Sequence, residues 1–217
     1  MVPEQEVPDE LVVTEEVTIA SEKVIEMVEL VETEVSEFAG EVVAVGDQVT
    51  RFQVGDQVFG PTEEGFGAHA EYMVLSEDSV LARRPAQLSV REAAAMSSGA
   101  MTALPFLAEV AKLQRGQRIL IIGASGSVGS FAVQMAHQLG AHVTGVCSQA
   151  NVSWVRELGA DRVIDYTQED FLKTGDTYDI VFDSVGKSRF AAAKQILRPG
   201  GQYLTTVLSL KILWQGF

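Results

Sequence analysis

The chain has 217 residues, 47% hydrophobic and 21% charged, a globular mix with enough apolar material for one large domain or two small ones. Its net charge of −14 argues against nucleic acid or an anionic membrane as main partner, since both need a positive surface. No apolar run reaches the ~18 residues of a membrane span, the acidic start is no secretory signal, and the single Cys147 allows no internal disulfide, so a reducing cytoplasm is the expected compartment.

The acidity is local. Residues 1–40 hold twelve acids against Lys23, a net of −11 that leaves only −3 for the rest. A solvated face or tail is the simplest reading of that run. From Ser21, the residues Val24, Val28, Val31 and Val35 recur at helical spacing and predict a helix, with a strand as the rival because β-branched valines weaken helices. Residues 38–82 read as β: "GEVVAVG", "GDQVFG" and "AHAEYMVL" are short runs bounded by glycine, suggesting a small barrel or sandwich. "SVREAAAMSSGAMTALPFLAEVAKL" predicts two helices broken around Ser97–Gly99, with Ser89 and Glu92 spaced as a capping box.

From Gly116 the pattern becomes strand and helix in alternation. Strands are expected at 118–123, 142–147, 162–165, 179–184 and 202–207, and helices at 127–139, 151–158 and 187–197. "RPGG" at 198–201 should stop the last helix and start the last strand. The alternation predicts an α/β unit, a parallel sheet with helices on both faces.

"IIGASGSVGS" at 121–130 joins the first of these strands to its helix. Gly123 permits a tight turn, Gly126 lets the backbone approach a phosphate, and Gly129 lets the helix pack close to the sheet. The amides of Ser127 and Val128 would open the helix, where the dipole favours an anion. A dinucleotide site is therefore expected, against a plain strand–helix turn. An NAD site usually carries an acid at the end of the second strand. "AHVTGVCSQANVSWVR" carries none: Ser148 stands near the expected position, with Gln149 and Asn151 beside it. A small neutral residue leaves room for a 2′-phosphate and favours NADPH over NADH. No arginine follows the strand directly; Arg156, Lys173 or Lys187 could supply positive charge.

One cysteine and three histidines (His69, His137, His142) offer few zinc ligands, so no metal is expected. No Ser–His–Asp order and no paired carboxylates in an apolar setting stand out. Hydride transfer would then depend on a bound cofactor, with the protein supplying position and exclusion of water.

Seven stretches in order, "EFAGEVVAVG", "RFQVGDQVFG", "GAHAEY", "EAAAMSSGAMTAL", "ILIIGASGSVGSFAVQMAHQLGAHVTGVCS", "ELGADRVIDYTQEDF" and "YDIVFDSVG", resemble the zinc-free, quinone-oxidoreductase-like branch of the medium-chain dehydrogenase/reductases, the branch of NADPH:quinone reductase and zeta-crystallin. The resemblance runs from about Glu37 to Phe217. It implies a Rossmann-type parallel sheet preceded by a partial GroES-like β-barrel: residues 1–36 an acidic segment outside the resemblance, 37–100 a partial catalytic domain, and 101–217 an NADP-binding domain lacking its last strand. It implies NADPH in the cleft, with the pyrophosphate on the Ser125–Gly129 loop and the adenosine 2′-phosphate bordered by Ser148 and Tyr166. Ser184, Val185 and Gly186 of "DSVG" would lie near the cofactor, and Thr102 near the nicotinamide as a candidate catalytic residue. Tyr166 could equally be an aromatic closing a strand end, and Thr102 a hydroxyl bonding its own helix.

The implied activity is hydride transfer from NADPH to quinones or activated alkenes and carbonyls, with a small-molecule substrate and a homo-oligomeric state expected. Residues 1–36 lack the family's Asn-Pro segment, and the fifth strand falls near the chain's end where a full sheet has six. A non-catalytic NADP-binding or interaction module left by truncation is the alternative. The apolar end "VLSLKILWQGF" is expected to need cover from another subunit or from the N-terminal segment.

Overall fold

The computed structural model describes residues 24–28, 37–61 and 72–207. Val24–Val28 forms β1, Glu37–Val45 β2, Gln57–Pro61 β3, Tyr72–Ser76 β4 and Ala82–Arg83 β5. They form an antiparallel sheet in the order β4-β1-β2-β3-β5. The helix expected from Ser21 is thus a strand over Val24–Val28. β1 pairs with β2 on one side and β4 on the other, and two ladders of backbone hydrogen bonds outweigh a 3.6-residue spacing built from valines. The remainder of that expected helix, and His69, lie outside the described residues.

The sheet has two working faces. Phe38 pairs with Gly60 and Gly40 with Val58, while Ala39 pairs with Phe59 on the opposite face. Phe38, Val42 and Val58 pack with Phe52 and Leu81. Ala39 instead meets Ala93 and Ala94, with Phe59, Leu88 and Val90 around them. Those alanines belong to α1, Val90–Leu104, so one helix covers the outer face of β2 and β3.

The capping box forms: the Glu92 amide donates to Ser89 Oγ at 3.3 Å, and the Ser89 amide donates to Glu92 Oε2 at 2.8 Å. The break expected at Ser97–Gly99 does not occur. The Ser97 hydroxyl donates to the Ala94 carbonyl at 2.6 Å and stays within the helix. Gly99 is small because another helix crosses there: an added Cβ would stand 2.6 Å from the Phe131 ring and 2.6 Å from Ser127 Oγ. Regular winding changes at Pro105, which has no amide to donate and whose ring crowds the preceding turn. Residues Pro105–Val110 form a wider π turn, continued by the Ala111 amide donating to the Phe106 carbonyl.

The second sheet is wholly parallel. Arg118–Ile122 is β6, His142–Cys147 β7, Arg162–Asp165 β8, Tyr178–Asp183 β9 and Leu197–Thr205 β10, in the order β10-β9-β6-β7-β8. The chain starts in the middle, winds outward through β7 and β8, then returns to the other side of β6. That makes a topological switch point between β6 and β9, where α/β sheets open a crevice. "ILII" of β6, residues 119–122, reads as an unbroken apolar run because both its faces are covered. Ile119 and Ile121 join a core with Ala132, Val133 and Ala136, whereas Leu120 and Ile122 join one with Ile164, Val181 and Ile196. Fully burying each such side chain is worth about 1.5–3 kcal/mol.

Three helices accompany the sheet: α2 Ser127–Gln138, α3 Val152–Glu157 and α4 Phe190–Ala193. The helix expected over 187–197 shrinks to the four residues of α4. The last strand, expected to start after "RPGG", begins before it. Leu197 already pairs with Tyr178, and Gly200, at φ +79°, bulges the stretch before pairing resumes at Gln202.

Candidate functional site

The carboxyl ends of β6, β7, β8 and β9 enclose a cavity of about 680 Å³, lined in part by Gly123, Ser125, Gly126, Ser148, Tyr166 and Val185. The three loop glycines differ in what they permit. Gly123 takes φ +82°, and a Cβ there would meet Val185 Cγ1 at 2.7 Å. Its amide and that of Ala124 both donate to the Val146 carbonyl, at 3.1 and 3.0 Å, tying the turn to β7. At Gly129 a Cβ would stand 2.0 Å from the Gly123 carbonyl oxygen. At Gly126 the one neighbour is that same oxygen at 3.3 Å, so this position faces the cavity.

Gly126 is also the N-cap of α2 and offers no side-chain acceptor. The amides of Ser127, Val128 and Gly129 therefore open the helix without intrahelical partners, and the Ser130 amide donates back to the Gly126 carbonyl at 2.9 Å. These amides and the helix dipole make an anion seat beside the cavity.

The rim over β7 and β8 is neutral. Asn151 Nδ2 donates to Ser125 Oγ and to Ser148 Oγ, each at 3.3 Å, joining the glycine loop to the end of the second strand. Tyr166 follows β8, is 59% exposed, and its amide donates to the Cys147 carbonyl at 3.1 Å. Cys147 sits on the cavity floor, its thiol pushed up first by burial and then by the neighbouring Asp165, so it stays protonated and apolar. Among the described residues no acidic side chain lines the cavity, and Lys187 is the one basic side chain that does.

On the other side lies the turn after β9. The Ser184 amide and hydroxyl both donate to the Ile122 carbonyl, at 3.1 and 2.9 Å. Gly186 takes φ +66°, and a Cβ there would press on Val207 at 3.1 Å. Ser184 and Gly186 shape this turn, and Val185 presents its side chain to the cavity. Thr102 is half-buried on α1, outside the lining, one helical turn beyond the Gly99 contact with Ser127. Ile122, Val146 and Phe171 also line the cavity and escaped the motif reading, and of the three cations expected to supply positive charge Lys187 lines it. The signal that could have found Phe171 is position: it falls on the loop that follows the carboxyl end of β8.

The two described histidines stay apart. The ring of His137 rests on Gly159, and His142 is exposed at the start of β7. Among the described residues no three of His, Cys, Asp or Glu form a group that could hold a metal ion. No described helix is long and apolar enough to cross a membrane.

A parallel doubly wound sheet with a glycine turn at its switch point defines an α/β protein of the Rossmann type. Residues 14–85 match the model of the alcohol dehydrogenase GroES-like domain, a span that takes in β1, and residues 127–209 match that of the zinc-binding dehydrogenase. The chain is 39% identical over 172 residues to the 2-methylene-furan-3-one reductase of Solanum lycopersicum, covering 75% of this chain and 43% of that protein. It is 39% identical over 181 residues to the mitochondrial NAD(P)H oxidoreductase RTN4IP1 of Mus musculus, covering 78% of this chain and 45% of that protein. The quinone oxidoreductase structure of Pseudomonas syringae superimposes with a TM-score of 0.75 at 27% identity, covering 99% of this chain and 73% of that one. The chain belongs to the quinone-oxidoreductase-like branch of the medium-chain dehydrogenase/reductases, with a GroES-like part and a Rossmann-type part. It spans less than half the length of these two curated relatives.

Proposed function

We propose that this chain serves an NADPH-dependent oxidoreductase that transfers hydride to quinones or activated alkenes and carbonyls without zinc. The observation that carries the reading is the cavity at the β6–β9 switch point, with the open Gly126 and the uncapped start of α2 on its wall. Relatives named as a furanone reductase and an NAD(P)H oxidoreductase support the reaction class.

Each part of the site has a task in this reading. The amides of Ser127, Val128 and Gly129 hold the pyrophosphate, and Gly123, Ser125 and Gly126 let it approach the backbone. Ser148, Asn151 and Tyr166 border the adenosine ribose, where hydroxyl and amide groups without an acid accommodate a 2′-phosphate. Ser184, Val185 and Gly186 wall the nicotinamide half, and Thr102 on α1, outside the cavity lining, is the candidate for the reacting end. Bound NADPH supplies the hydride. The chain's own residues orient it and exclude water. One cysteine and three histidines in the whole sequence support a reaction that needs no zinc. The small-molecule substrate binds between the two parts, and the protein works as a homo-oligomer.

Titration with NADPH and NADH, followed by nicotinamide fluorescence, tests the reading. Binding of NADPH ahead of NADH is expected; no binding at roughly 100 µM, well inside the usual cofactor range, removes it. The lack of any acidic side chain on the cavity among the described residues favours a second reading, a nucleotide-binding module without catalysis. That reading predicts NADPH binding with no oxidation by quinones, enones or aldehydes.

A further inference from the structure

β9 ends on Asp183, whose side chain is fully buried although it is the only acid of the "DSVGKS" turn. Its oxygens are occupied from the turn itself. Oδ1 receives the Val185 amide at 3.1 Å and the Lys187 amide at 3.3 Å. Oδ2 receives the Ser188 amide at 2.7 Å and the Ser188 hydroxyl at 2.8 Å. The Tyr203 hydroxyl has one hydrogen to share between Oδ2 at 3.4 Å and the Ser188 carbonyl at 3.1 Å. These partners are neutral donors, so the turn wraps a buried anion with its amides pointing inward. Val185 and Lys187, whose amides are so held, are the residues of this turn that line the cavity. The turn is also pressed on the glycine loop, since a Cβ at Gly123 would meet Val185 at 2.7 Å and Ser184 Oγ at 2.9 Å.

We propose that Asp183 is a positioning residue that fixes the cavity wall at the β9 end and thereby the affinity for the nicotinamide half of the cofactor. The inference rests on the nucleotide reading above. In doubly wound sheets the adenosine ribose lies at the end of the second strand, here β7 with Ser148, so the remainder of the dinucleotide crosses β6 toward β9. Asp183 touches no part of that ligand; it acts through the backbone of Val185 and Lys187. A carboxylate suits the position because every group facing it donates. An asparagine of the same shape turns its NH₂ against at least one pair of these donors and leaves them buried without an acceptor.

The test compares Asp183→Asn and Ser188→Ala with the unmodified chain, using NADPH and adenosine 2′,5′-bisphosphate, which occupies the adenosine end alone. Asp183→Asn is expected to raise the NADPH dissociation constant at least about tenfold, the loss expected for a charged buried hydrogen bond. It should leave the bisphosphate within twofold and reduce the nicotinamide fluorescence enhancement at saturation. Amide exchange at Val185 and Lys187 should quicken while that of Gly123 holds. A merely structural role would weaken both ligands together. Equal loss of both ligands, or no change in either, overturns the proposal. Should Asp183→Asn fail to fold, Ser188→Ala withdraws one hydroxyl donor only and should weaken NADPH about threefold without touching the bisphosphate; an unchanged NADPH affinity overturns the proposal. If the unmodified chain binds the bisphosphate but not NADPH, the positioning claim fails alone; if it binds neither ligand, the nucleotide reading fails with it.

Discussion

A side-chain carbon added at Gly129 would stand 2.0 Å from the carbonyl oxygen of Gly123, closer than any real contact. That single approach holds α2 against the end of β6. Gly126, between them, meets the same oxygen at 3.3 Å and otherwise open space. The two glycines therefore separate stability from binding. Gly129→Ala should force the helix away from the strand and cost about 3 kcal/mol or more, read as a fall in melting temperature. Gly126→Ala should cost only about 1 kcal/mol as a poorer N-cap, yet weaken NADPH at least tenfold by filling the seat. Equal melting temperatures for the two variants would contradict this division.

The Gly99 contact gives a prediction whose sign decides between two accounts of α1. A glycine that merely breaks or loosens a helix is improved by alanine, by about 1 kcal/mol. Here the added carbon meets Phe131, Ser127 Oγ and, at 2.8 Å, the Ser127 carbonyl. Gly99→Ala should instead destabilise by about 1–3 kcal/mol. A thermal melt shows which way it moves.

Ser148 stands where an acid would hold the ribose hydroxyls. Ser148→Asp should bring a negative charge to the adenosine rim, repelling a 2′-phosphate and offering a partner to the free diol. The expected outcome is an NADPH-to-NADH affinity ratio lowered at least tenfold. An unchanged ratio in fluorescence titrations would mean that the 2′ position does not reach this rim.

At the opposite end of the sheet, the Arg118 guanidinium donates to Asp176 at 2.8 Å and Arg162 donates to its other oxygen. The Arg118 hydrogen bond first, and the charges of both arginines, hold the Asp176 carboxyl below its usual range despite partial burial. The folded value lies below the unfolded one of about 3.9, so this stabilisation is present above that pH and is lost as pH falls through the folded value. Asp176→Asn should lower the melting temperature by about 2–4 °C at pH 7, as expected for ~1 kcal/mol in a chain of this size. The gap to the parent should close below about pH 4.

Much of the parallel half was legible because its signals are local. "ILII" at 119–122 is apolar at every position because a strand covered on both faces needs it so, and the glycine spacing 123, 126, 129 marks a turn wherever it occurs between strand and helix. The Ser89–Glu92 box likewise lies within four residues of chain. The errors share a different cause. β1 looks helical until β2 and β4 are beside it, Gly99 looks like a break until Phe131 crosses it, and β10 looks late until Leu197 pairs with Tyr178 across a bulge.

The sequence alone determined the order of strands and helices in the parallel half, the positions where only glycine fits a turn, and a neutral residue at the end of the second strand, because each depends on neighbours a few residues away. Only the tertiary structure decided that α1 bridges the two sheets, that residues from 122 to 187 converge on one cavity, and that a buried Asp183 holds one of its walls. Those facts are set by pairings and packing between segments tens of residues apart, and no local spacing encodes them.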